Sequence, residues 1–93
     1  PTIGITVRAV TAYEGSPAGV RVESVQSGSD ADGKLEIGDI IVEANGVSIA
    51  ATDDLMAVKD ALQTGDILSL RLWRDGEWLQ RDVELVEQYT LGQ

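Results

Sequence analysis

The run Gly38-Asp39-Ile40-Ile41-Val42-Glu43-Ala44-Asn45-Gly46 constrains the fold of this chain more than any other stretch. Its β-branched residues favour an extended, half-buried strand. We read that strand from Asp39 to Glu43, with Ile40 and Val42 on one side. Asn45-Gly46 supplies the two positive-φ positions that a tight hairpin turn demands. A short returning strand near Val47-Ser48 is therefore expected. Such a strand needs neighbours, and the rest of the chain supplies them.

Ile3 to Val10 alternates apolar and other residues, putting Ile3, Ile5, Val7 and Ala9 on one face at strand spacing. Thr11 to Ala18 contains Gly15, Ser16 and Pro17 and reads as a loop. Gly19 to Val25 is a second strand, with Val20 and Val22 inward where Arg21 and Glu23 face water. Ser27 to Gly33 is turn-rich and suits one short helical turn capped by Ser29. Thr52 reads as a helix N-cap, with Asp53 and Asp54 in the first turn, where the helix dipole favours negative charge. Leu55, Val58 and Leu62 then recur at helical spacing, and Gly65 marks the helix end. The last two strands, Ile67 to Arg74 and Glu77 to Val86, flank Asp75-Gly76. A two-residue turn there sets Arg74 against Glu77 and Trp73 against Trp78. The same register gathers Leu68, Leu70, Leu72, Leu79, Val83 and Leu85 on one face, with Arg81 as the exception.

The predicted architecture is α+β and mainly β. It is a small, partly open β-barrel or sandwich of five to six strands, capped by one main α-helix and a short helical turn. At 93 residues the chain makes one domain, read as 1–88 with a tail at 89–93. Its 43% hydrophobic content fills a single modest core, built from aliphatic residues since Phe is absent. Pro1 in place of Met reads as the start of a segment of a longer protein.

Composition narrows the function. Sixteen acidic residues against seven basic ones give a net charge of −9 and no basic stripe, which argues against nucleic acid. No stretch approaches the ~20 apolar residues of a membrane span, so membrane insertion by this segment is not expected. Zero Cys and zero His remove thiolate and imidazole metal sites and the Ser-His-Asp and Cys-His arrangements. Asp30, Asp32, Glu36 and Asp39 lack the terminal bidentate Glu of a calcium loop. This segment is thus expected to be no enzyme and to need no metal or cofactor.

Upstream of the opening run, Asp32-Gly33-Lys34-Leu35-Glu36-Ile37 leads directly into Gly38-Asp39. The combined stretch resembles the signature D-G-(K/R)-L-x-x-G-D-x-I-x-x-x-N-G of PDZ domains, which capture the C-terminal ends of other polypeptides. The resemblance extends from Ile3 to about Val86. Thr2-Ile3-Gly4-Ile5 stands where that family carries its carboxylate-binding loop, here at the very start of the chain. A strand after the final hairpin turn replaces the first strand of many animal PDZ domains. This permuted order is similar to the PDZ domains of bacterial HtrA/Deg-type serine proteases. So is Asp53-Asp54-Leu55 followed ten residues later by Gly65-Asp66.

The resemblance implies a peptide-binding module that adds an extended ligand as one more strand. Backbone N–H groups of Ile3, Gly4 and Ile5 would receive the terminal carboxylate. Ile3, Ile5 and Val7, with Leu55, Val58 and Leu62 from the helix, would line the hydrophobic pocket and groove. Arg8 and Lys59 would meet an upstream residue of the peptide. The expected partners are protein C-termini or extended peptides and a linked trypsin-like protease domain, serving quality control in the envelope or outside the cell. The alternative is a PDZ domain of another peptidase, of C-terminal processing or intramembrane type, whose groove is occupied by a neighbouring domain.

Overall fold

The computed structural model describes residues 3–12 and 15–85. The predicted tail at 89–93, the boundary at 88 and Thr2 lie outside the described residues. Seven elements follow in order: β1 (Ile5–Val10), β2 (Gly19–Val25), β3 (Ile40–Ala44), β4 (Val47–Ser48), α1 (Thr52–Asp60), β5 (Ile67–Arg74) and β6 (Glu77–Glu84). All strand pairs are antiparallel, in one open sheet ordered β1-β2-β3-β5-β6, with β4 paired to β3. The barrel-like curl therefore stays unclosed, and β1 and β6 are its two long edges.

Alternation builds the core as expected. Val20 and Val22 from β2 and Leu68, Leu70 and Leu72 from β5 are fully buried, and Leu55 of α1, Val83 and Leu85 join them. The hairpin register is as read: Trp73 faces Trp78, Arg74 faces Glu77, and both turn residues have positive φ, Asp75 at 48° and Gly76 at 86°. Asn45 and Gly46 likewise take positive φ in the β3–β4 turn, at 50° and 81°.

Four local expectations need correction. In β3 the core side is Ile41 and Ala44, opposite Leu72 and Leu70, because a bulge between Ile41 and Glu43 shifts the alternation. Ile40, opposite Trp73, is buried without sharing that side. Ala9 is exposed. The helix N-cap is Ala51, one residue before Thr52. Its side chain has no acceptor, so the Asp54 carboxylate takes the Ala50 and Ala51 N–H groups at 2.9 and 3.0 Å instead. Finally, Gln26 to Leu35 forms successive turns in place of a helical turn, and the Ser29 hydroxyl donates to the Gln26 carbonyl at 2.7 Å.

The signature residue Asp39 proves to be a buried charge, 1% exposed. Arg74, at the end of β5, grips both its oxygens, through Nε and Nη2 at 2.7 Å each. The Glu36 N–H donates to Asp39 as well, and Arg74 also pairs with the Glu36 carboxylate at 3.1 Å. The guanidinium is held still more firmly in its charged form by the hydrogen bond to Asp39. Removing Arg74 would leave the Asp39 carboxylate buried and without its charge partner.

Candidate functional site

The edge strand β1 lies against α1, and between them runs the only long sheet edge flanked by the helix among the described residues. β1 is hydrogen-bonded to β2 on one side, and a bulge at Thr6/Val7 lets Glu23 slip out of register. Among the described residues, no side chain caps the backbone of β1 on its outer side. A row of such groups is a template for another extended chain.

Most of the predicted site residues gather here. Gly4 has φ of 85°, a conformation that favours glycine, and its carbonyl accepts the Gln26 N–H at 2.7 Å. This anchors the loop to the end of β2. Ile3 is buried in the core, so its contribution to a site is its backbone. Ile5 and Val7 are partly buried and pack against the core from the edge, as the floor of a groove should. Leu55 is fully buried beneath the helix.

The helix presents two different flanks. Val58 and Leu62 line an apolar depression of about 440 Å3 together with Ala57, Ala61, Asp54 and the hairpin residues Asn45 and Val47. At 100° per residue, that flank looks toward the β3–β4 turn. The opposite flank carries Met56 and Lys59. Met56, which sequence periodicity did not single out, packs against the core and stands there half-buried. The Lys59 side chain is only 19% exposed, although its ammonium lies 3.4 Å from Asp60. Its aliphatic stem is therefore part of the packing.

Arg8 projects from β1, 66% exposed, and pairs with Glu23 at 3.0 Å. Both cations that the sequence assigns to the ligand thus already have a carboxylate partner. A second depression, of about 380 Å3, lies on the outer face of β5 and β6. There Trp78 is 51% exposed, with the Arg71 guanidinium 4.9 Å from its ring centre. Trp78 belongs to a cross-strand pair with Trp73 and stands apart from the groove. Among the described residues, no cluster of carboxylates is arranged to hold a metal ion, and no helix is long and apolar enough to cross a membrane.

Known proteins share both the sequence and the fold of this chain. Residues 1–85 match the PDZ domain family. This chain belongs to the PDZ family. Over 70 residues, 74% of its length, it is 39% identical to a probable periplasmic serine endoprotease DegP-like of Pseudomonas fluorescens. It is 32% identical over 74 residues, 77% of its length, to the Patj homolog of Drosophila melanogaster. The matched segments are only 14% and 8% of those two proteins. Among solved structures, the HtrA3 PDZ domain bound to a phage-derived ligand, FGRWV, superposes with a TM-score of 0.71 at 28% identity, covering 89% of this chain and 82% of that one. The PDZ domain of the SdrC-like protein from Listeria monocytogenes gives 0.70 at 23% identity, with 89% and 87% covered. The PDZ domain is a peptide-binding module and not a catalytic one.

Proposed function

We propose that this PDZ domain captures hydrophobic C-terminal ends of polypeptides by adding them to β1 as a further antiparallel strand. The observation that carries this reading is the β1 edge beside α1, which has no strand on its outer side among the described residues and is entered through the positive-φ turn at Gly4. The loop Ile3-Gly4-Ile5 receives the terminal carboxylate. Ile5 and Val7 form the floor beneath the last side chain, with Leu55 at the helix base and Met56 and the Lys59 stem as the wall. Val58 and Leu62 support the far flank. Burying one aliphatic ligand side chain contributes roughly 1.5–3 kcal/mol, and the main-chain ladder supplies the rest of a micromolar affinity. Arg8 and Lys59 meet an upstream acidic residue only by competing with Glu23 and Asp60.

The 39% identity to a DegP-like endoprotease supports a place for this domain in an extracytoplasmic HtrA-type serine protease. There it would deliver or report exposed C-termini. A hydrophobic terminus is also what the valine-ended ligand offers to the related HtrA3 domain.

The deciding test is a titration with a peptide ending in a free Val carboxylate and with its C-terminally amidated twin. Micromolar binding of the acid and loss of binding by the amide is the expected outcome. Equal binding by both, or by neither, would remove the carboxylate loop from the proposal.

A further inference from the structure

The second long edge of the sheet, β6, is treated quite differently from β1. The Leu85 N–H donates to the Asp66 carbonyl on the β5 side at 3.0 Å. With a two-residue alternation, residues 79, 81 and 83 also face β5, while the main-chain groups of residues 80, 82 and 84 point away from the sheet. Side chains reach each of these three. The Arg81 guanidinium donates to the Gln80 carbonyl at 2.9 Å, and the Lys34 ammonium donates to the Asp82 carbonyl at 2.9 Å. The Asp30 carboxylate accepts the Glu84 N–H at 2.7 Å. Lys34 and Asp30 are joined to each other at 2.8 Å. Together they offer the edge one donor and one acceptor, as a neighbouring strand would. Arg81, the residue out of place on the apolar face, is thereby explained. It sits on the inward face of an edge strand and bonds the neighbouring Gln80 carbonyl, and an inward-pointing charge on an edge hinders pairing.

We propose that Asp30, Lys34 and Arg81 form a clasp that closes the β6 edge to strand addition. The domain then does not polymerise with copies of itself through β6. This inference stands on the β6 hydrogen bonds alone and holds whether or not β1 takes a peptide.

The test uses two variants of the chain, Asp30→Ala and the triple change Asp30→Ala, Lys34→Ala, Arg81→Thr. Sedimentation equilibrium is run up to millimolar concentration, with amide exchange and chemical shifts followed by NMR. The wild-type chain should stay monomeric with a protected Glu84 amide. In Asp30→Ala, which removes the acceptor of the Glu84 N–H, exchange at Glu84 should quicken about tenfold while Leu85 keeps its protection. The triple variant should associate with concentration, its shift changes confined to β6. A folded triple variant that remains monomeric, or one that associates through β1, would overturn the proposal. So would unaltered Glu84 exchange in Asp30→Ala, a single change that decides the point even if the triple variant does not fold.

Discussion

Gly19 shows how a single missing Cβ decides whether two strands can meet. It opens β2 opposite Val10, and a methyl group placed on it would run into the Ile41 main-chain carbonyl and crowd Ile40. Neither neighbour is free to move, since both lie in the centre of the sheet. Gly19→Ala should cost about 1–3 kcal/mol as an overpacking change. In a domain of this size that lowers the thermal midpoint by several degrees, and a midpoint unchanged within error would contradict the geometry. Asp39 is the complementary case, a residue needed for what it carries. Asp39→Ala leaves Arg74 without its bidentate partner and the Glu36 N–H without its acceptor. Arg74 keeps Glu36 and some solvent, so the expected loss is about 1–3 kcal/mol, read as a lower urea midpoint with an unchanged slope. The motif made Asp39 conspicuous in the sequence, but Arg74, 35 positions away, did not announce itself as the partner.

At the level of elements, what was legible depended on how local the determinants are. The β5–β6 hairpin could be read to the residue because Asp75-Gly76 fixes its register and Leu68, Leu70 and Leu72 alternate along β5. The end of α1 could not. Leucine spacing runs on to Leu62, yet the helix stops at Asp60, since the Leu62 N–H turns back to Lys59 and the Asp66 carboxylate takes the Gln63 N–H. Such side-chain bonds offer the backbone an alternative to the helix. The floor of the candidate groove was visible as the alternation of Ile5 and Val7. The helix flank was not, because whether Val58 or Met56 faces β1 depends on where the β3–β4 hairpin stands. The clasp on β6 has a pH signature of its own. The N–H of Glu84 and then the Lys34 ammonium hold the Asp30 carboxyl below its ordinary value. A carboxyl lowered on folding stabilises the fold above its unfolded pKa, about 3.9 for Asp, and that contribution fades as pH falls through the folded value. Urea midpoints measured from pH 7 down to pH 3 should therefore fall less steeply below pH 4 in Asp30→Asn than in the wild-type chain. Parallel curves would mean that Asp30 contributes nothing to the pH dependence.

Across the whole molecule, charge acts at two ranges that oppose each other. The net charge of −9 makes the domain repel acidic ligands at a distance. Close to the groove stand two cations, Arg8 and Lys59, each beside a carboxylate. Which range governs encounter depends on salt. The screening length is about 30 Å at 0.01 M and about 8 Å at 0.15 M, against a narrowest molecular dimension of 19 Å. In dilute buffer an approaching peptide feels the entire acidic surface, whereas at physiological salt it feels only its immediate surroundings. Two peptides with the same Val terminus, one carrying Lys and one Glu upstream, should therefore respond oppositely. As salt rises from 0.01 to 0.15 M, the association rate of the Lys peptide should fall and that of the Glu peptide should rise. Dissociation rates should change little, because rim charges act mainly on encounter. Arg8→Ala should slow association of the Glu peptide at physiological salt and leave the Lys peptide nearly unaffected. Stopped-flow fluorescence of labelled peptides would measure both rates. If both association rates fell with salt, local attraction by Arg8 and Lys59 would outweigh the field of the domain. The ligand preference would then have to be sought in those two side chains.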